Sequence, residues 1–277
     1  MAAIPSSAKI GPFMGDTPTS GSIFDSRALA NKIHNPDFLS LYLSRLSFGD
    51  KRFLFDDFEG DTINLDNWIV NGDSGTTVFA MTATNTLGES SITADTSTDD
   101  NEFITIYGHC NWLGDKNAGM AIRWQTDTIA LTCFEYGWCD PLTDYTLPAI
   151  NDIDTPTITN GAVTLAVLAF DAAQTLATAA LVMDGDGTYA TTSVDTGWLP
   201  TINKWYTTII QLAGDSVWTA TWDTNDAANP VLQAGTVISR TGVVEGGTLV
   251  EPRFTFGNRT SNDATPRIDF IACWQDR

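Results

Sequence analysis

The feature that most constrains this chain is a succession of short β-rich runs that fills residues 50–277 with no helix-length pattern between them. RFLFDDF, TTVFAMTAT, EFITIYG, GMAIRWQT, TIALTCFEY and AVTLAVLAF come first; TLATAALVM, KWYTTIIQL, SVWTATWD, GTVISRT, PRFTFG and RIDFIACWQ follow. Many alternate apolar with polar positions, and Gly, Asp, Asn and Pro punctuate them. Parallel pairing needs long, usually helical crossovers, which are missing here. An antiparallel sandwich is the arrangement left, so the fold class is all-β. The stretch 141–160, PLTDYTLPAINDIDTPTITN, could divide two smaller sandwiches. One sandwich over residues 50–277, with that stretch as a long surface loop, is the preferred division.

Ahead of the β zone lie two segments of different character. Residues 1–24 carry scattered apolar groups (Ile4, Ile10, Phe13, Ile23, Phe24) among Pro, Gly and Ser, too few to form a core. Ordering such an arm costs roughly 1–2 kcal/mol per residue, so it is expected to order only against another surface. Residues 25–49 form a linker with one short helix, predicted over about 36–46. Asn35 is its N-cap and Pro36 its first helical residue. Phe38, Leu39, Tyr42, Leu43 and Leu46 recur at helical spacing, and Gly49 closes the segment. So short a helix must pack its stripe, either on the β body or on a neighbouring subunit.

Charge narrows the partners. The chain carries 34 acidic against 14 basic residues, a net charge of −20. Nucleic acid is excluded as a partner because phosphate contact needs a basic face, and Lys51–Arg52 is the largest basic cluster. No apolar run of about 18 residues is present to span a membrane, and no secretory signal is read, so synthesis in a cytoplasm is expected. Cys110, Cys133, Cys139 and Cys273 lack metal-ligand spacing and read as buried thiols. His109 beside Cys110 is tempting as a nucleophile pair, but adjacent strand residues point to opposite faces, and core packing is the expectation.

The two ends of the β zone carry a resemblance. Phe55-Asp56-Asp57-Phe58-Glu59-Gly60-Asp61, followed by Leu65-Asp66-Asn67-Trp68, is similar to the entry strand of the concanavalin A-like lectin/glucanase superfamily. Arg267-Ile268-Asp269-Phe270-Ile271-Ala272-Cys273-Trp274 resembles its closing strand, and Lys204–Ile209 with Ser216–Asp223 resembles a hairpin of laminin G-like members. The resemblance covers residues 53–277 and implies an antiparallel jelly roll whose first and last strands lie together. Trp68 and Trp274 are then large core fillers.

That superfamily implies two chemistries. Its glucanases place paired glutamates on one strand, at the carboxyl spacing retaining hydrolysis needs. Here the glutamates are Glu59, Glu89, Glu102, Glu135, Glu245 and Glu251, with no pair four or five apart, so family-type hydrolysis is not expected. Its lectins use aromatic platforms and calcium. Trp112, Trp138 and Trp198, beside Gly, Asn or Asp, are the carbohydrate candidates. Asp95 with Asp99, and Asp184 with Asp186, are the candidate calcium positions, although Asp184-Gly185-Asp186-Gly187 reads first as a tight turn.

The reading that gathers these features is a non-enzymatic virion structural protein, a bacteriophage capsid decoration or cement subunit. Ile4, Ile10, Phe13 and Phe24 of the arm and Phe38 and Tyr42 of the helix would hold capsid or other virion proteins, with a homo-oligomer expected. The alternative is a carbohydrate-binding module with glycan partners. An atypical glycan-active enzyme is third.

Overall fold

The computed structural model describes residues 51–56, 58, 63–72, 78–82, 91–95, 102–109, 111–130, 132–158, 161–226, 230–259 and 265–277. The arm, the helix at 36–46, Asp99 and Cys110 lie outside these residues. The strands begin with β1 (Lys51–Asp56), β2 (Trp68–Gly72), β3 (Val78–Thr82), β4 (Ser91–Asp95), β5 (Phe103–Gly108), β6 (Trp112–Leu113) and β7 (Gly119–Gln125). Next come β8 (Thr132–Cys139), β9 (Ile150–Asp152), β10 (Thr157–Ile158), β11 (Thr164–Asp171), β12 (Ala179–Gly185) and β13 (Tyr189–Trp198). The last are β14 (Tyr206–Ala213), β15 (Ser216–Asp223), β16 (Val231–Leu232), β17 (Ile238–Arg240), β18 (Leu249–Asn258) and β19 (Arg267–Asp276). No described helix is long and apolar enough to cross a membrane.

Two antiparallel sheets make the sandwich. The first runs β16-β15-β14-β7-β19-β4-β3, with β1 on β19 and β17 on β15; the second runs β13-β12-β11-β8-β18-β5-β2, with β6 on β18. The terminal strands pair as the motifs imply: Phe53 lies opposite Trp274 and Phe55 opposite Ala272. Sequence-distant ends thus close the first sheet.

Aromatic side chains fill the space between the sheets. Trp124 of β7 meets Phe134 and Tyr136 of β8 at ring-centroid distances of 5.0 and 5.1 Å. It also meets Tyr206 at 5.9 Å and Phe254 at 6.4 Å, so one indole touches strands of both sheets. Trp68 is buried in the same core, its Nε1 donating to Asp56 Oδ2 at 2.8 Å. Cys133, Cys139 and Cys273 are buried free thiols, and burial pushes each pKa up.

The stretch 141–158 departs from a plain surface loop. It contains the β9–β10 hairpin, and Leu142, Ala149, Ile150 and Ile153 bury against the outer face of the second sheet. Their partners there are Leu165, Val167 and Ala169 of β11 with Ala180 and Val182 of β12. This outer cover explains why AVTLAVLAF and TLATAALVM are apolar without alternation: both faces of β11 and β12 are buried.

Candidate functional site

The outer face of the second sheet carries a group of buried charged side chains. Alternation along β8 sends Phe134, Tyr136 and Trp138 into the core, leaving Glu135 on the opposite face. On β18 the same rule places Phe254 and Phe256 inside and Glu251, Arg253 and Thr255 outside. Glu135 sits opposite Thr255, and Arg253 opposite Gly137 and Tyr107. Gly137 is required there: at φ 151° its missing Cβ would come within 2.2 Å of the Ala166 carbonyl oxygen.

Three charged side chains are thereby almost solvent-free, with Glu135 4%, Glu251 2% and Arg253 1% exposed. Glu135 accepts the backbone N–H groups of Ala149 and Ile150, each at 2.8 Å, and so pins the covering segment. Glu251 Oε2 accepts the Tyr145 hydroxyl at 3.1 Å, and the Tyr145 ring stacks on Tyr107 at 3.9 Å. Arg253 Nη2 donates to Thr255 Oγ1 at 2.6 Å. Its Nε and Nη1, and Glu251 Oε1, have no hydrogen-bond partner among the described residues. A hydroxyl or water that both accepts and donates suits that set.

Burial pushes the Glu251 carboxyl up to about 7; the Tyr145 hydroxyl and Arg253 oppose the shift, while Asp140 adds to it. A carboxyl whose pKa rises above the ordinary 4.5 on closure stabilises the closed state fully below that value. That contribution is lost as pH rises towards about 7. Amide exchange over residues 141–150, corrected for intrinsic rates, is therefore expected to accelerate between pH 5 and 8. In Glu251→Gln this part of the pH dependence should vanish; an unchanged profile would remove Glu251 from control of the segment.

Beside the cover lies an open groove of about 570 Å³, lined by Ile153, Asp154, Pro156, Thr175, Leu176, Ser193 and Asp195. Its walls are the covering segment, the β11–β12 turn and the edge strand β13. Asp154 ties the first two together, accepting the N–H groups of Thr175 and Leu176 at 2.8 and 2.7 Å. Asp195 Oδ1 accepts Thr178 Oγ1 at 2.6 Å and Gly197 N at 2.8 Å. Those bonds hold the carboxylate in place. Asp195 Oδ2 has no partner among the described residues, and the Ser193 hydroxyl is likewise unengaged.

The residues singled out in the sequence sit elsewhere. Trp112, Trp138 and Trp198 are core residues, not sugar platforms. Trp112 packs on Trp138 at 5.8 Å, and Trp138 Nε1 donates to the Ile210 carbonyl at 3.2 Å. Trp198 packs edge-on to Tyr206 and donates to Gln233 Oε1. Neighbouring Gly and Asp residues suggest loops, but these indoles turn inward where strands meet the ends of the sandwich. His109 corrects the core-packing expectation: it is exposed, its Nε2 3.0 Å from the Asp66 carbonyl oxygen.

Asp184 and Asp186 belong to the β12–β13 hairpin. Asp184 accepts Thr191 Oγ1 at 3.0 Å, and Asp186 and Gly187 take φ of 47° and 69°, the left-handed geometry of a tight turn. Asp95 falls within β4. No group of three or more His, Cys, Asp or Glu among the described residues is arranged to hold a metal ion.

No protein-family model matches this chain, and no curated protein matches it in sequence. Solved structures do match in shape. A Shewanella oneidensis MR-1 protein described as of unknown function superposes at a TM-score of 0.55 and 12% identity, over 87% of this chain and 94% of that one. Lectin UEA-II complexed with galactose gives 0.53 at 10% identity, over 82% of this chain and 100% of that one. The fold is the concanavalin A-like lectin jelly roll. The Ca²⁺-bound exoplasmic/lumenal domain of VIP36 gives 0.51 at 10% identity, over 81% and 90%.

Sequence spacing missed Glu135, Glu251 and Arg253 because they converge across neighbouring strands. The signal was a lone carboxylate within an apolar run, TCFEYGW, and the alternation of EPRFTF.

Proposed function

We propose that this chain is a non-enzymatic carbohydrate-binding jelly roll whose glycan site is the open groove beside residues 153–156. The observation that carries the reading is the groove's chemistry. Asp195 offers a fixed but unused carboxylate oxygen and Ser193 an unused hydroxyl. Ile153, Pro156 and Leu176 offer apolar surface beside them. Sugar hydroxyls hydrogen-bond to the first pair, while C–H faces pack on the second group. The lectin fold supports the same class of ligand, one neighbour having been solved with galactose.

The absence of hydrolysis is part of the proposal. Glu135 spends both carboxylate oxygens on backbone amides, and Arg253 lies between it and Glu251 along the sheet. Four residues separate the positions of Glu135 and Glu251 along β18, about 13 Å between backbones. Neither carboxyl is placed as a free acid–base partner of the other.

A glycan array tests this directly. Wild-type protein is expected to bind at least one neutral glycan, and Asp195→Asn with Ser193→Ala to weaken it about tenfold or more, the size of a lost charge-assisted hydrogen bond. Array-wide silence, or a double variant that binds like wild type, would overturn the assignment. Anchoring on a virion is a separate proposal, carried by the sequence of the arm and helix segments, with residues 1–24 as the main anchor. A chain lacking those residues keeps glycan binding on the first proposal and loses particle attachment on the second.

A further inference from the structure

The charge around the groove beside residues 153–156 is one-sided. Asp154 and Asp195 line it, and none of the other lining residues is basic. The two acids come from different walls, Asp154 from the covering segment and Asp195 from β13. Neither enters the ion pairs found among the described residues, which join Arg123 to Asp269, Lys204 to Asp223 and Arg259 to Asp171. Both are held by neutral donors instead: the Thr175 and Leu176 N–H groups for Asp154, and Thr178 Oγ1 with Gly197 N for Asp195. Such bonds fix a carboxylate in place without cancelling its charge. They also leave acceptor positions open, since a carboxylate offers about four.

We infer that the groove selects amino sugars: its ligand is a glycan carrying a free ammonium group, taken in preference to a neutral sugar and to the exclusion of an acidic one. The inference rests on the glycan reading above and adds the charge of the ligand to it. An ammonium brings three donors and no acceptor, which matches carboxylates that only accept, whereas a sugar hydroxyl brings one donor and no charge. Ile153, Pro156 and Leu176 take the C–H face of the sugar ring and so keep its ammonium beside the acids. A cleft lined by one sign of charge concentrates the opposite sign, and the net charge of −20 acts in the same direction. Because both acids are exposed, the gain is bounded: an exposed ion pair changes affinity by up to about fivefold. An acidic sugar would set carboxylate against carboxylate with no cation in the lining to receive it.

Titration calorimetry of the full-length chain with chitotriose and with cellotriose tests it, because the two share a β-1,4 backbone and differ at C2, ammonium in one and hydroxyl in the other. At about pH 6, where the sugar amines carry their protons, and about 50 mM salt, chitotriose is expected to bind about fivefold or more tightly than cellotriose. The preference should fall towards parity as salt rises to about 0.5 M. In Asp195→Asn it should drop to about twofold or less at low salt. Cellotriose carboxylated at C6 should not bind. Trilysine carries the charge without a sugar ring and should bind more weakly than chitotriose; equal binding would assign the attraction to the acidic surface at large and overturn the inference. Equal or tighter binding of cellotriose by the wild type would overturn it while leaving a glycan in the groove, and this comparison stands whether or not the variant folds. So would silence of chitotriose alongside a neutral hit on the array, or an unchanged preference in a folded Asp195→Asn. Silence of chitotriose and of every arrayed glycan would instead fail the glycan reading itself, and this inference with it.

Discussion

Glu135→Ala is expected to destabilise the protein by about 3–5 kcal/mol, the cost of leaving a buried charge and its hydrogen-bonding partners uncompensated. The carboxylate accepts from the Ala149 and Ile150 amides, and with Glu251 it offsets the buried Arg253. Removing it breaks both backbone hydrogen bonds to the cover and weakens the counter-charge in one step. Glu135→Gln retains one acceptor oxygen and should lose less, about 1–3 kcal/mol. Urea denaturation measures both. The Ala variant should also lose amide protection over 141–153 before global unfolding. A change below about 1 kcal/mol would show that the cover is held by its apolar contacts alone.

The second large effect belongs to the core. Trp124→Ala should cost about 3–5 kcal/mol, because the vacated indole volume is walled by rigid aromatic rings that cannot collapse into it. Phe134, Tyr136, Tyr206 and Phe254 all lose their common neighbour, and these come from both sheets. Trp124→Phe keeps part of the contact and should cost clearly less. A neutral Trp124→Ala in thermal and urea unfolding would contradict the packing described for the sandwich.

The architecture was legible where local chemistry and topology agree. The strands RFLFDDF and RIDFIACWQ carry end motifs, and their pairing of Phe53 with Trp274 follows from closing the sheet. Strands with polar faces were harder: β13, YATTSVDTGW, is an edge strand rich in Thr, Ser and Asp and is missing from the β-rich runs read in the sequence. The stretch 141–158 looked like surface because Pro, Asp and Thr dominate it. Its four buried apolar residues are spaced irregularly and give no periodic signal.

The site was legible only in part, for a similar reason. Candidate tryptophans chosen for their Gly and Asp neighbours proved to be core, since size and apolarity outweigh local turn chemistry at strand ends. Asp195 and Ser193 come together with Ile153 and Leu176 only through the fold of three separate segments, and no linear spacing encodes that. The covered cluster of Glu135, Glu251 and Arg253 was hinted at by alternation, yet its meaning depends on which face the 141–158 segment covers.

The most direct test of the glycan reading is an amide-exchange footprint of the wild-type protein saturated with its strongest array ligand. Slowed exchange is expected at 153–156, 175–176 and 193–195, and it should be lost in Asp195→Asn at the same ligand concentration. Protection confined to the first sheet, or an unaltered footprint in Asp195→Asn, would contradict the placement of the sugar in this groove.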